Sequence, residues 1–286
     1  MNFQVSSSLE YQVLGPSTMF FSIRARAMGL QTPIQESFIL SNGMSSELIV
    51  TQPDMNCFDR VVVSGGTHLR VDYKADVTTF SRQISPDELR KFSPAQLDPR
   101  VLPYVFSSRY CESDRLGRFA RQKFGNLNPG YDQVLAIDDW IFANVEYLPG
   151  VTDSEVSAFD TVTMQAGVCR DFSHLAIALC RALNIPARYL SAYAYNLIPQ
   201  DFHACFEAYI GGAWIVFDPT RLAALNGLVR IGSGRDAADV SVCTIFGPIQ
   251  FLGKTVTCQC TDPNFQPLTR AQQESTAVTL DQPATF

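Results

Sequence analysis

Residues His203 to Thr220 constrain the fold more than any other stretch of this chain. His203, Cys205, Glu207 and Tyr209 alternate with Ala204, Phe206, Ala208 and Ile210, the period of two that marks a strand. Gly211-Gly212 follows, a pair suited to the backbone of a two-residue hairpin turn. A tight turn there pairs Ile210 with Ala213, and counting outward sets Cys205 opposite Asp218 and His203 opposite Thr220. Asp218 then shares a face with His203 as its diagonal neighbour, about 7 Å away between backbones. A carboxylate and an imidazole can close that gap with a hydrogen bond. The hairpin delivers an oriented histidine without any assumption about the rest of the fold.

A nucleophile for this pair lies upstream. Phe172, Leu175, Ala176, Leu179, Cys180 and Leu183 fall on one helical face, and Asn184-Ile185-Pro186 ends the pattern. Cys169 stands three residues ahead of that stripe, in the first turn. A helix N-terminus and a nearby imidazolium favour a thiolate, and the unpaired N–H groups there can bind an oxyanion. Gly167 removes side-chain bulk beside the sulfur. The thiolate attacks, the histidine moves protons, and the carboxylate fixes the histidine's tautomer. Cys169, His203 and Asp218 are therefore the candidate catalytic residues. Cys180 reads as core, His68 as a solvated strand residue, and His174, off the main stripe, as partly exposed.

A metal site is the competing use of these atoms. His203 and Cys205 share a face, and Cys258-Gln259-Cys260 offers two more sulfurs. None of these has Cys-x-x-Cys spacing, so no metal and no cofactor are expected.

The first 82 residues read as β. In His68 to Val77, Leu69, Val71, Tyr73, Ala75 and Val77 face one way and polar residues the other. Phe21, Ile23, Ala25 and Ala27 alternate similarly, and Ser41-Asn42-Gly43 and Ser64-Gly65-Gly66 suggest turns. These signals predict an antiparallel β-sandwich-like domain over 1–82. Ser85-Pro86-Asp87-Glu88 carries a capping box and predicts a helix start, with further helices over about Ser113 to Phe124 and Tyr131 to Val145. The catalytic core is placed at 83–286, with a loosely held polar tail from about Phe265. The class is α+β.

Lys and Arg total 22 against 28 Asp and Glu, giving 22 − 28 = −6, without a basic stripe. Nucleic acid is thereby an unexpected partner. No apolar run approaches the ~20 residues of a membrane helix, and the start lacks a signal-peptide pattern. The expectation is a cytoplasmic chain with eight reduced cysteines and no membrane partner.

With these residues in place, the chain resembles the transglutaminase-like superfamily, in particular its bacterial cysteine-protease-like branch. The resemblance is carried by Trp140-Ile141-Phe142, Tyr147-Leu148-Pro149-Gly150, Gly167-Val168-Cys169-Arg170-Asp171-Phe172, the run from Cys180 to Tyr189, His203-Ala204, Phe217-Asp218-Pro219-Thr220 and the segment Gly234 to Val240. It implies a papain-like core with the nucleophile at a helix N-terminus packed on an antiparallel sheet. It assigns the nucleophile to Cys169, the base to His203 and the orienting carboxylate to Asp218, and it implies a preceding N-terminal β domain. The implied activity is hydrolysis of an amide or peptide bond through a thioester, with a peptide or protein amide as substrate. The alternatives are acyl transfer to an amine, as in a transglutaminase, and a non-catalytic peptide-binding module. Two positions depart from the family. Cys205 stands where tryptophan is common two residues after the histidine, and Ser191-Ala192-Tyr193 replaces Ser-Gly-Tyr.

Overall fold

The structure is a computed structural model that describes residues 1–282. Six strands open the chain: β1 (Asn2–Val13), β2 (Ser17–Phe21), β3 (Gln31–Leu40), β4 (Glu47–Thr51), β5 (Asn56–Val63) and β6 (Thr67–Thr79). The short β7 (Arg82–Ile84) follows. The α-rich part holds α1 (Ser113–Phe124), α2 (Tyr131–Asn144), β8 (Glu146–Tyr147), α3 (Ala158–Met164), β9 (Ala166–Gly167) and α4 (Cys169–Ala182). Next come β10 (Ala187–Ala194), β11 (Phe202–Ile210), β12 (Ala213–Phe217) and β13 (Leu228–Gly234). The chain closes with β14 (Cys243–Phe246), β15 (Ile249–Cys260), α5 (Arg270–Ser275) and β16 (Ala277–Thr279). No helix among the described residues is long and apolar enough to cross a membrane.

Two four-stranded antiparallel sheets, ordered β15-β1-β6-β3 and β14-β2-β5-β4, form a sandwich. The alternation in β6 does what the sequence predicts: Leu69, Val71, Tyr73, Ala75 and Val77 are buried between the sheets. The core sheet runs β12-β11-β10-β13, also antiparallel. Helix α4 packs on it, with α1, α2 and α3 around α4. Fully buried Leu175, Ala176, Leu179 and Cys180 turn the predicted stripe into the centre of that layer.

Several expectations are corrected. β14 and β15, from the C-terminal half, complete both sandwich sheets, with β15 pairing along β1 from Phe3 to Val13 and β14 along β2. The sandwich thus closes only after the core has been threaded through, which local alternation over 1–82 cannot reveal. The helix expected at Ser85 is a single 3-10 turn, Pro86–Glu88, and two more turns follow at Pro94–Gln96 and Leu102–Tyr104. Prolines at 86, 94, 99 and 103 keep the segment from propagating a helix. The strand pattern at Phe21 ends there: Arg26 is buried and donates to Ser233 Oγ at 2.7 Å, while Ala27 is exposed.

The tail is a further correction. β16 pairs with β7, and Ala277, Val278, Thr279 and Leu280 are buried. Asp281 accepts from Arg188 Nη2 and Arg230 Nη1, both at 2.6 Å. Fully buried Glu207 accepts from Arg188 Nε at 2.6 Å and also from Arg230. Together the arginines hold the Asp281 carboxyl far below the ordinary carboxylate range, against the opposing effect of burial. Arginine partners 93 and 51 residues upstream are invisible to a local reading of a polar segment.

Candidate active site

The hairpin forms in the register counted from the sequence. Ile210 pairs with Ala213 and Phe206 with Phe217, so the next positions outward bring Cys205 and Asp218 together. Gly211 and Gly212 take φ of +60° and +79°, the left-handed values that a two-residue turn requires. Asp218 lies one residue beyond β12. Its Oδ2 is 2.9 Å from His203 Nε2, with both side chains buried. Three further donors fix the carboxylate: Thr220 N at 3.0 Å and Thr220 Oγ1 at 2.6 Å on Oδ1, and Ala223 N at 3.0 Å on Oδ2.

Burial opposes the charge on both members of this pair, and the pair overcomes it. The Asp218 carboxylate holds the His203 imidazolium well above the usual histidine range, with Cys205 and Cys169 adding to the effect. The imidazolium and the donated hydrogen bonds hold Asp218 below the usual carboxylate range. With Nε2 committed to Asp218, the other ring nitrogen, Nδ1, is buried and has no hydrogen-bond partner among the described residues. It is the nitrogen left to exchange a proton with a thiol.

Cys169 is the first residue of α4 and is partly exposed. The helix start is held by fully buried Asp171, whose Oδ2 accepts from Val168 N at 2.9 Å and from Thr152 Oγ1 at 2.7 Å. Here the structure refines the role of Gly167. A Cβ on it would meet the Asp171 Cβ at 2.7 Å, so glycine makes room for the capping carboxylate rather than for the sulfur. Upstream, β8 and β9 pair in parallel, and Leu148 N donates to Gly167 O at 2.9 Å. That bridge brings Tyr147 against the nucleophile. Burial pushes the Tyr147 phenol up to about 12, the Cys169 thiol adds to the shift, and the Cys169 backbone N–H and His203 oppose it. The sequence reading missed Tyr147 as a site residue. Nothing in a tyrosine ahead of Leu148-Pro149 signals that a two-residue parallel bridge will bring it to Cys169.

Cys169 and His203 line one cleft of about 610 Å³. Tyr147 and Tyr189 line it from the core, and Cys243, Ile245, Phe251 and Lys254 from the strands that complete the sandwich. Lys254 also reaches Asp201 across the cleft at 2.7 Å. A slightly larger hollow of about 670 Å³, bordered by Gln4, Ser6, Lys74 and Thr257, lies elsewhere on the sandwich and holds none of the candidate residues. His174 is fully buried, contrary to expectation. It stacks on Tyr110 at 5.0 Å and its Nε2 accepts from Ala237 N at 3.1 Å. Burial, with Arg170 and Arg181 nearby, pushes it well below the usual histidine range, so it is a neutral packing residue.

Residues 117–219 match the profile of the transglutaminase-like superfamily, and residues 1–100 match that of the bacterial transglutaminase N-terminal domain. A solved structure of a candidate cysteine protease from Cytophaga hutchinsonii is 44% identical, with a TM-score of 0.95 over 98% of both chains. Curated relatives include the uncharacterized proteins ML0607 of Mycobacterium leprae, 32% identical over 38% of this chain, and Rv2569c of Mycobacterium tuberculosis, 27% identical over 45%. The chain spans less than half the length of those relatives, 42% and 46% respectively.

Proposed function

The chain belongs to the transglutaminase-like superfamily, and from that premise we propose that it is a cysteine-dependent amide or peptide bond hydrolase using Cys169, His203 and Asp218. One observation carries the reading: a buried His203–Asp218 pair whose Nδ1, unpartnered among the described residues, shares a cleft with the thiol at the head of α4.

Before attack the Cys169 proton passes to His203 Nδ1, giving a thiolate beside the imidazolium that Asp218 favours, and the thiolate then attacks the carbonyl carbon. The tetrahedral oxyanion is met by the Cys169 backbone N–H and by the Tyr147 hydroxyl, which lies against the same residue. Collapse breaks the C–N bond, His203 returns the proton to the leaving amine, and a thioester remains. Water, deprotonated by His203, then releases the acid and restores the thiol. The likeness to a candidate cysteine protease supports water rather than an amine as the acceptor.

Iodoacetamide at limiting concentration, mapped by mass spectrometry, is expected to label Cys169 first among the eight thiols. Amide and peptide substrates supplied with and without a primary amine then separate hydrolysis from transfer, with Cys169→Ala as the blank. Preferential labelling of Cys57, Cys260 or another site defeats the assignment. Tyr147→Phe removes one oxyanion donor and is expected to lower kcat by about 10²-fold with little change in KM. An unchanged kcat removes Tyr147 from the mechanism.

A further inference from the structure

We propose that His203, Cys205 and Asp218 form a binding site for a single divalent transition-metal ion of the zinc class, and that an ion there inhibits the enzyme. One ligand atom from each residue lies within 4.8 Å of the other two, and all three residues are buried. Imidazole nitrogen, thiolate sulfur and carboxylate oxygen are the three donor types that zinc takes from proteins. Around a tetrahedral zinc, with bonds of about 2.0 to 2.3 Å, such atoms stand roughly 3.3 to 3.8 Å apart. The Nε2–Oδ2 separation is 2.9 Å and the widest is no more than 4.8 Å, so modest side-chain rotation gathers them.

Cys205 is what makes the site. Its fully buried sulfur supplies the third donor, within 4.8 Å of the imidazole nitrogen and the carboxylate oxygen. Two strand positions from His203 and opposite Asp218, its sulfur interacts with both. Burial pushes its thiol up to about 12, so it does not compete with Cys169 as a nucleophile. Coordination replaces the proton that Nε2 shares with Asp218 and the proton of the Cys205 thiol. Both protons leave to solvent, and the ion's two charges replace theirs in a buried site.

Inhibition follows from the mechanism proposed above. A metal on Nε2 leaves the imidazole neutral only with its proton on Nδ1, and Nδ1 can then no longer accept one from Cys169. It also removes Asp218 from the ring.

Binding can be tested separately from catalysis. Zinc chloride alone is titrated into the full chain, with bound metal counted after dialysis, for wild type, Cys169→Ala, Cys205→Ala and Cys205→Ser. Wild type and Cys169→Ala are expected to bind one equivalent. The two Cys205 variants are expected to bind about tenfold more weakly or worse, since even groups behind the ligands cost that much when changed. Cobalt(II) should give a thiolate charge-transfer band in wild type and Cys169→Ala and none in Cys205→Ser. Melting curves establish that each variant is folded, and the serine variant keeps nearly the shape of the cysteine. No bound zinc, equal affinity in a folded Cys205 variant, or binding lost in Cys169→Ala overturns the site. If Cys169→Ala binds zinc but wild type has no amidase activity, the site stands and the hydrolase reading fails.

Discussion

Asp218→Asn is expected to fold and to lose roughly 10³- to 10⁴-fold in kcat. The equivalent substitution in a serine protease costs about 10⁴, and a thiol, which ionises more easily, leaves room for a smaller loss. The cause is visible in the four donors around the carboxylate. Oδ1 accepts from Thr220 N and Oγ1, while Oδ2 accepts from Ala223 N and faces His203 Nε2. An asparagine keeps one oxygen. If the oxygen stays with Thr220, the amide NH₂ meets the Ala223 N–H and donates to Nε2, which forces the ring proton onto Nδ1. That tautomer cannot take a proton from Cys169. If the amide turns over, the NH₂ faces the Thr220 N–H and a buried donor goes unpaired, at about 1–3 kcal/mol.

The same substitution changes how stability depends on pH. Asp218 is held below its ordinary value, so its contribution is complete above about pH 4 and is lost as pH falls through its folded value. His203 is held above its ordinary value, so its contribution is complete below about pH 6.5 and is lost as pH rises through its folded value. Wild type should therefore gain most over Asp218→Asn between about pH 4 and 6.5. Melting temperatures across pH measure the difference. A variant with near-normal turnover, or a difference that does not vary with pH, means that another group orients the ring.

What the sequence disclosed about this site was local. The hairpin register follows from a two-residue turn and a period of two, and both survive in any surroundings. The start of α4 follows from a stripe that begins three residues after Cys169. What stayed hidden depends on contacts between distant segments. Tyr147 reaches Cys169 through a two-residue parallel bridge, and Asp281 is ordered by arginines on β10 and β13. His174 looked exposed because it lies off the main stripe. Yet Tyr110, 64 residues upstream, and Tyr189 cover its ring, and the whole of α4 from Asp171 to Arg181 is buried. A helix enclosed by a sheet and three other helices has no solvent face for periodicity to mark.

Deleting residues 1–82 is expected to abolish folding of the remainder, although those residues supply none of the three candidate catalytic groups. β15 would lose its pairing with β1 along its length, and β14 its pairing with β2, its sole sheet neighbour among the described residues. Tyr193, Val229 and Ile231, on β10 and β13 of the core sheet, belong to the same apolar cluster as Phe3, Val5 and Tyr73 and would lose that cover. At about 1.5–3 kcal/mol for each fully buried side chain, these three alone approach the whole stability of an ordinary domain. Buried Gln31 bonds the Arg230 backbone through both ends of its amide, and Asn56 does the same for Ser233, so β13 would also lose its polar fixings. The cleft would lose a wall as well, because Cys243, Ile245 and Phe251 line it from the strands left unpaired. The measurement is solubility, circular dichroism and selective labelling of Cys169 in a chain starting at residue 83. The expected product is aggregated or unfolded, with all eight thiols less the deleted Cys57 labelled alike. A soluble product with a cooperative melt and Cys169 labelled first would make the sandwich an accessory to a self-sufficient core, and the closure of its sheets by β14 and β15 would then be dispensable.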